Sequence, residues 1–169
     1  EPFVGGGAVW FNLENSDIDN VWQPEYLRNG TDGIIIGAGP LLFSCIEAAE
    51  YIQAESKISL AVLDLRCIKP LSSDFLLAVA GKYKKWVVVE ENVLAGGMGS
   101  SLLEFISDNS LRVDVRRLGL PDRYIPVGDK NSQIDDAGLS TESITKAAAD
   151  FFKRIRRLSL RKIGVSRVE

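Results

Sequence analysis

The sequence predicts an α/β domain, a buried and mostly parallel sheet flanked by helices. Three observations carry this. Strand-like and helix-like segments alternate from residue 33 onward. The strand-like runs are near-continuous Val, Ile and Leu, as strands buried on both faces require. The helical runs open at proline or serine, residues suited to helix N-termini.

Each element follows in order. Residues 1–30 are turn-rich, with Gly5 to Gly7, a polar run from Asn15 to Asn20 and "RNGTDG" at 28–33. Within them "VWQPEYL" is a candidate short strand, and Pro24, lacking an N–H, places it at a sheet edge. "GIIIGAG" reads as a buried strand, and "PLLFSCIEAAEYIQAE" as a helix with Pro40 at its start. "KISLAVLDLR" is the next strand. "SSDFLLAVAGKY" is the next helix, with Ser72 or Ser73 as cap. "KWVVVEEN" and "SSLLEFISDN" repeat the unit, and "RVDVRRLGLP" adds a strand. "STESITKAAADFFKRI" closes the pattern behind a Ser140 cap. Residues 1–30 are thus an irregular N-terminal segment, 31–152 the domain, and 153–169 a basic tail.

Composition limits the function classes. A chain of 169 residues, 46% hydrophobic and 25% charged, suits one globular domain with a genuine core. No apolar run approaches the roughly 18 residues of a membrane span, and "EPFVGGGAVW" lacks the regions of a signal peptide, so the chain reads as soluble. Cys45 and Cys67 show no CxxC spacing and read as buried thiols in a reducing compartment. The chain contains no histidine, which removes the commonest general base and metal ligand and argues against a self-contained hydrolase. Charge is uneven. Residues 153–169 carry about +6, with seven basic side chains against Glu169, and leave −9 for the rest of a net −3 chain. A solvated helix end explains that run more simply than an arm for nucleic acid or acidic lipid.

Two glycine loops stand where a strand passes into a helix, Gly37-Ala38-Gly39-Pro40 and Gly96-Gly97-Met98-Gly99. Helix N-termini present unpaired N–H groups, so either loop is a candidate anion site. Gly37 and Gly39 match the start of GxGxxG, with Asp64 ending the next strand where a ribose-binding carboxylate would sit. The third glycine is replaced by Leu42, and Pro40 removes a donor. The second loop is GGxG with no lysine after it, and its glycines are read first as a sharp turn and close packing. Glu90 and Glu91, adjacent on a strand, point to opposite faces and cannot form a close acid/base dyad. One is expected to meet a helix N-terminus, the other solvent or a partner. Asp64 and Arg66 are expected to share a strand face and pair. Asp122 and Arg123, after the last strand, lie on the edge where open sheets make their functional contacts.

These residues also carry a family resemblance. "DLRCIKPLSSDFL" at 64–76, "VVVEENVLAGGMGSSLLEFI" at 87–106 and "RRLGLPDRYIPVG" at 116–128 resemble, in order and spacing, the C-terminal domain of 1-deoxy-D-xylulose-5-phosphate synthases. The "LGLPDRYI" stretch separates the chain from pyruvate dehydrogenase β subunits and ordinary transketolases, which share the VEE and GG(x)G elements. The likeness covers about residues 31–150.

The resemblance implies a three-layer α/β/α domain whose five-stranded sheet has the order 1-3-2-4-5, the first strand antiparallel and near Val21 to Arg28. Both glycine loops would then flank one crevice. It implies an enzyme that condenses pyruvate with glyceraldehyde 3-phosphate for isoprenoid precursors, using thiamine diphosphate and magnesium. The GDG motif of their site is absent here, "GDKN" at 128–131 being the nearest approach, so this chain is expected to hold no cofactor, no metal and no catalytic residue. It would be the last third of a longer polypeptide, silent alone, with the remaining domains and a second subunit of a homodimer as partners, and neither nucleic acid nor membrane. Its compartment would be the cytoplasm of a bacterium or the plastid of a plastid-bearing organism. Gly37, Gly39, Glu90, Glu91, Gly96, Gly97, Gly99, Asp122 and Arg123 are the candidate interface or anion-site residues. Departures are the long segment Gly5 to Asn29 and "IPVG", where such synthases carry an acid and a histidine. Alternatives are the matching domain of a pyruvate dehydrogenase β or transketolase protein, or a free-standing interaction or regulatory module.

Overall fold

The computed structural model describes residues 22–124 and 127–162, with side chains through Lys153. Most of the N-terminal segment, Ile125 and Pro126 of "IPVG", the last seven residues and the side chains of 154–162 lie outside the described residues. Five strands form one sheet: β1 (Glu25–Arg28), β2 (Gly33–Gly37), β3 (Leu60–Asp64), β4 (Lys85–Val93) and β5 (Asp114–Leu120). Their order is β1-β3-β2-β4-β5. The β1–β3 pair is antiparallel and the other three pairs are parallel. The sheet therefore takes in Glu25–Arg28, the edge strand anticipated inside the N-terminal segment.

Among the described residues five α-helices complete the layers: α1 (Leu42–Ser56), α2 (Ser73–Lys82), α3 (Met98–Asp108), α4 (Lys130–Asp136) and α5 (Thr141–Lys162). Alternate residues of each central strand feed opposite faces, the period-2 rule of a pleated strand. Ile35, Val62, Val87 and Val89 pack with α1 and α5, whereas Ile34, Ile36, Leu63, Trp86 and Val88 pack with α2 and α3. All five residues of β2 are buried. A strand covered on both sides must be apolar throughout, hence the uninterrupted isoleucines.

Connectivity sets up the site. β2 and β4 are neighbours, yet the helices that follow them, α1 and α3, leave for opposite faces. That divergence is the switch point of an open α/β sheet, where a crevice opens beyond the strand ends. Both glycine loops lie there.

Several local expectations are corrected. Ser72 precedes α2, but its hydroxyl donates to Gln23 Oε1 at 2.8 Å and makes no cap bond. Arg66 lies past the end of β3 with φ 55°, so it meets Asp64 across a turn and not along a strand face. Cys67 is half-buried, and only Cys45 is enclosed. Pro40 is the middle residue of a single 3-10 turn, Gly39–Leu41, that leads into α1. α5 itself runs past residue 152 to Lys162. Among the described residues no helix is long and apolar enough to cross a membrane.

Candidate functional site

Glu90 is the centre of the switch point. It is only 4% exposed and is the sole charged residue in the buried set of the described chain. A buried carboxylate must be hydrogen-bonded or it would be strongly destabilising. Glu90 Oε2 accepts from the Met98 N–H at 2.6 Å, and Oε1 accepts from the Gly99 N–H at 3.0 Å. These are the first two amides of α3, so the carboxylate satisfies two of the N–H groups that a helix leaves open and sits at the positive end of its dipole. Gly97, at the N-cap position, makes no side-chain cap bond. Glu90 takes over that role from a neighbouring strand.

The glycines make room for this arrangement. A Cβ on Gly97 would stand 2.1 Å from Glu90 Oε2 and 2.5 Å from the Val93 carbonyl oxygen. On Gly99 it would meet Arg117 Cδ at 2.7 Å and Glu90 Oε1 at 3.0 Å. Gly119 of β5 closes the third side, where a Cβ would come within 3.0 Å of Glu90 Cγ and 2.9 Å of the Asn92 carbonyl oxygen. Of the glycines around Glu90, Gly96 is the one that needs its backbone freedom, with φ 76° and open space around it.

A second polar knot locks the loop. Arg117 Nη1 donates to the Leu94 carbonyl at 2.7 Å and to Ser100 Oγ at 3.0 Å. Ser100 Oγ in turn donates to the Leu94 carbonyl at 2.9 Å and accepts from the Gly96 N–H at 3.1 Å. Sequence reasoning did not single out Gly119, Arg117 or Ser100. A glycine inside a strand, as Gly119 is, signals close approach of another group, and that signal was available.

The other sequence candidates separate. Glu91 is exposed and pairs with Lys130 of α4 at 3.5 Å. The two acids thus diverge, one to a helix end and one to a surface cation, as their strand geometry requires. Gly37 is buried, and a Cβ there would press on Leu42 Cδ2 at 3.2 Å. Gly39 takes φ 76° beside empty space. Asp64 Oδ1 accepts from the Arg66 N–H at 2.9 Å, and its other oxygen stands 4.0 Å from Arg66 Nε, so it is engaged within the protein. Arg66 also binds Glu25 on the edge strand. Asp122 and Arg123 lie on the exposed loop after β5, with Arg123 Nη2 donating to the Asp136 carbonyl at 3.3 Å. That bond ties the loop to the end of α4.

Chemically, the site is closed. The two amides that would greet a phosphate at the second glycine loop already hold Glu90, so an incoming anion would have to displace a tethered carboxylate. Among the described residues no group of three Asp, Glu or Cys side chains stands together to hold a metal ion. The same edge is rich in exposed apolar side chains: Phe43 after β2, Val93 at the end of β4, and Tyr124 and Val127 after β5. Tyr124 and Val127 are 80% and 91% exposed.

Comparison with known proteins agrees with this architecture. The family described as "Transketolase, C-terminal domain" matches residues 23–144. A 1-deoxy-D-xylulose-5-phosphate synthase of Geobacter metallireducens is 38% identical over 134 residues, 79% of this chain and 21% of that one. The synthase of Syntrophotalea carbinolica is 38% identical over 152 residues, 89% of this chain and 24% of its own length. The chain therefore spans about a quarter or less of the curated relatives it matches. Among solved structures, a split-gene transketolase described as an inactive beta4 tetramer superposes with a TM-score of 0.69 at 24% identity, over 79% of this chain and 43% of that one. At that identity the likeness speaks for the fold alone, and it is the same five-stranded fold. Taken with the match to residues 23–144, it leaves one assignment: the chain belongs to the transketolase C-terminal domain family.

Proposed function

We propose that this chain is the C-terminal domain of a thiamine-diphosphate-dependent transferase of the 1-deoxy-D-xylulose-5-phosphate synthase kind. In that enzyme it packs against the other domains and a second subunit, and alone it is silent. The observation that carries the reading is the internal carboxylate at the switch point. The ligand position of an open α/β sheet is filled by Glu90, while the edge around it exposes the apolar side chains Phe43, Val93, Tyr124 and Val127. An edge built that way suits contact with protein better than capture of a small anion.

The cofactor and magnesium belong, in this reading, to the rest of the enzyme. The described residues do not fit them: no metal-ligand cluster is present, and the amides at α3 are satisfied internally. Sequence identity favours the synthase over the transketolase alternative, because the two synthases named above are each 38% identical whereas the split-gene transketolase is 24% identical.

Calorimetry of the chain with thiamine diphosphate and magnesium tests the silent part. No saturable binding is expected in the micromolar range, and micromolar binding, or turnover of pyruvate, would overturn it. The packing part is tested in the full-length enzyme with Phe43→Ser combined with Tyr124→Ser. Weakened assembly and lower activity are expected, and unchanged values for both would remove the carboxyl edge as a contact.

A further inference from the structure

A groove of about 980 Å³ runs between α1 and the first half of α5, on the face of the sheet away from α2 and α3. Tyr51, Ile52 and Ala149 supply apolar lining, and among the described residues Glu47, Glu50, Glu55 and Glu142 stand around it against one cation, Lys153. Glu47 accepts from Thr141 Oγ1 at 3.0 Å. None of the four glutamates is in an ion pair among the described residues. The groove is therefore acidic at its rim and apolar inside. Its natural complement is a basic, amphipathic helix of similar length.

The chain contains one. Residues 154–162, the last part of α5, read "RIRRLSLRK", five cations and no acid. Arg154, Arg157 and Arg161 fall at i, i+3 and i+7, one helix face, while Glu47, Glu50 and Glu55 follow nearly the same rhythm on α1. In sequence, Ile155 and Leu158 continue the apolar stripe Ile144, Ala148, Phe152. Phe152 packs over Gly33, the first residue of β2, so α5 has reached the end of the sheet there. Lengths also agree: nine helical residues span about 13 Å at 1.5 Å each, and Glu47 to Ser56 on α1 span about the same.

The helix of this segment does not fold back into its own groove. α5 is one continuous helix from Thr141 to Lys162, and Lys153 already lines the groove, so the following residues run away from it along the same axis. We propose that the groove between α1 and α5 seats residues 154–162 of a second copy of this chain. By two-fold symmetry the exchange is mutual, with the two α5 helices antiparallel.

Charge reversal with mixing tests this on the 169-residue chain by sedimentation velocity. The chain should sediment as a dimer in low salt and dissociate near about 1 M salt, where the Debye length falls to about 3 Å. Glu50→Lys with Glu55→Lys puts cations against cations, and Arg157→Glu with Arg161→Glu puts acids against acids. Each double variant should weaken self-association about tenfold or more. An equal mixture of the two should regain the dimer, because each groove then meets a tail of opposite charge. A chain ending at Lys153 should be monomeric, which gives the same reading without altering any charge in the groove. Both double variants can be checked for intact helix content by circular dichroism. A monomeric parent chain, a dimer indifferent to both reversals, or a mixture that stays monomeric would each overturn the proposal. A monomer that binds anionic vesicles or duplex DNA through Arg157 and Arg161 would reassign the segment as a polyanion arm and overturn it too.

Discussion

Replacing Glu90 by glutamine isolates the carboxylate that closes the switch point. The side chain keeps its size, so no cavity opens, and one carbonyl oxygen still accepts from α3. The other oxygen becomes an NH2 group facing a backbone N–H, two donors with nothing between them. Hydrogen bonds to a charged group are worth about 1.5–3 kcal/mol each, and a buried donor left unmatched costs about 1–3 kcal/mol. The charge also leaves the N-terminus of an 11-residue helix, where the dipole contributes up to about 2 kcal/mol in partly buried settings. These effects overlap, and together they give a loss of about 2–4 kcal/mol, or a fall in Tm of about 5–15 °C for a chain of this size. Urea unfolding followed by circular dichroism reads it directly. Inorganic phosphate supplies the control. Freed amides in Glu90→Gln should let phosphate stabilise the variant and leave the parent unchanged. A variant within about 0.5 kcal/mol of the parent, the scatter of ordinary surface changes, or a parent stabilised by phosphate, would refute the account of Glu90 as the group that fills this helix end.

Other consequences are as direct. Gly97→Ala, with a Cβ 2.1 Å from Glu90 Oε2, should destabilise by at least about 2 kcal/mol, whereas Gly81→Ala in α2, with nothing within 4 Å, should stabilise by about 0.5–1 kcal/mol; paired thermal melts check both. Cys45, pushed up by burial from 9.0 to about 12, should resist thiol reagents in the native state while half-buried Cys67 reacts. Because the folded chain holds the Cys45 proton to higher pH than the unfolded chain, stability should decline as pH rises between about 9 and 12, and Cys45→Ala should remove that part of the slope. Asp129→Ala should fray α4 first, seen as faster amide exchange at Asn131 and Ser132, whose N–H groups its carboxylate accepts. Ser132 donates to it as well, and these bonds hold its pKa below the usual carboxylate value, so the cap should weaken as pH falls through that lowered value.

The sheet was legible because burial on two faces leaves so little choice of residue. "GIIIG" and "WVVVE" can hardly be anything but central strands, and their helices follow from the regular spacing of Ala, Leu and Ile. Strand order was not in that pattern. It came from the likeness of residues 64–76, 87–106 and 116–128 to a known family, since hydrophobic runs do not say which strand lies beside which. The short helix α4 escaped notice because none of its seven residues is buried, so no apolar periodicity marks it. Its signals were local: Asp129 as an N-cap and Gly138, with φ 70°, just beyond its end. Ser72 shows the opposite failure, a good capping residue whose backbone, at ψ 84°, turns its hydroxyl to Gln23 instead.

The partner of Glu90 was half visible. Strand alternation sends adjacent acids to opposite sides, which told that one would find a helix end, but sequence distance hides that Gly97, Gly99 and Gly119 enclose the same carboxylate. Their common function changes the meaning of the glycine loop. Glycines beside a helix N-terminus ordinarily let a phosphate approach the backbone, and here they let a side chain do so. A tethered carboxylate competes with a free anion at the effective concentration of an intramolecular group, commonly in the millimolar range or above, and needs no loss of translational freedom. A free metabolite at micromolar levels would lose that contest. The same geometry that binds nucleotides elsewhere thus becomes, with one glutamate eight residues before the helix, an edge whose helix N-terminus is already satisfied. Such an edge can be pressed against another protein surface without stranding a helix end in the interface, and that is the physical reason a switch point can serve assembly in place of ligand binding.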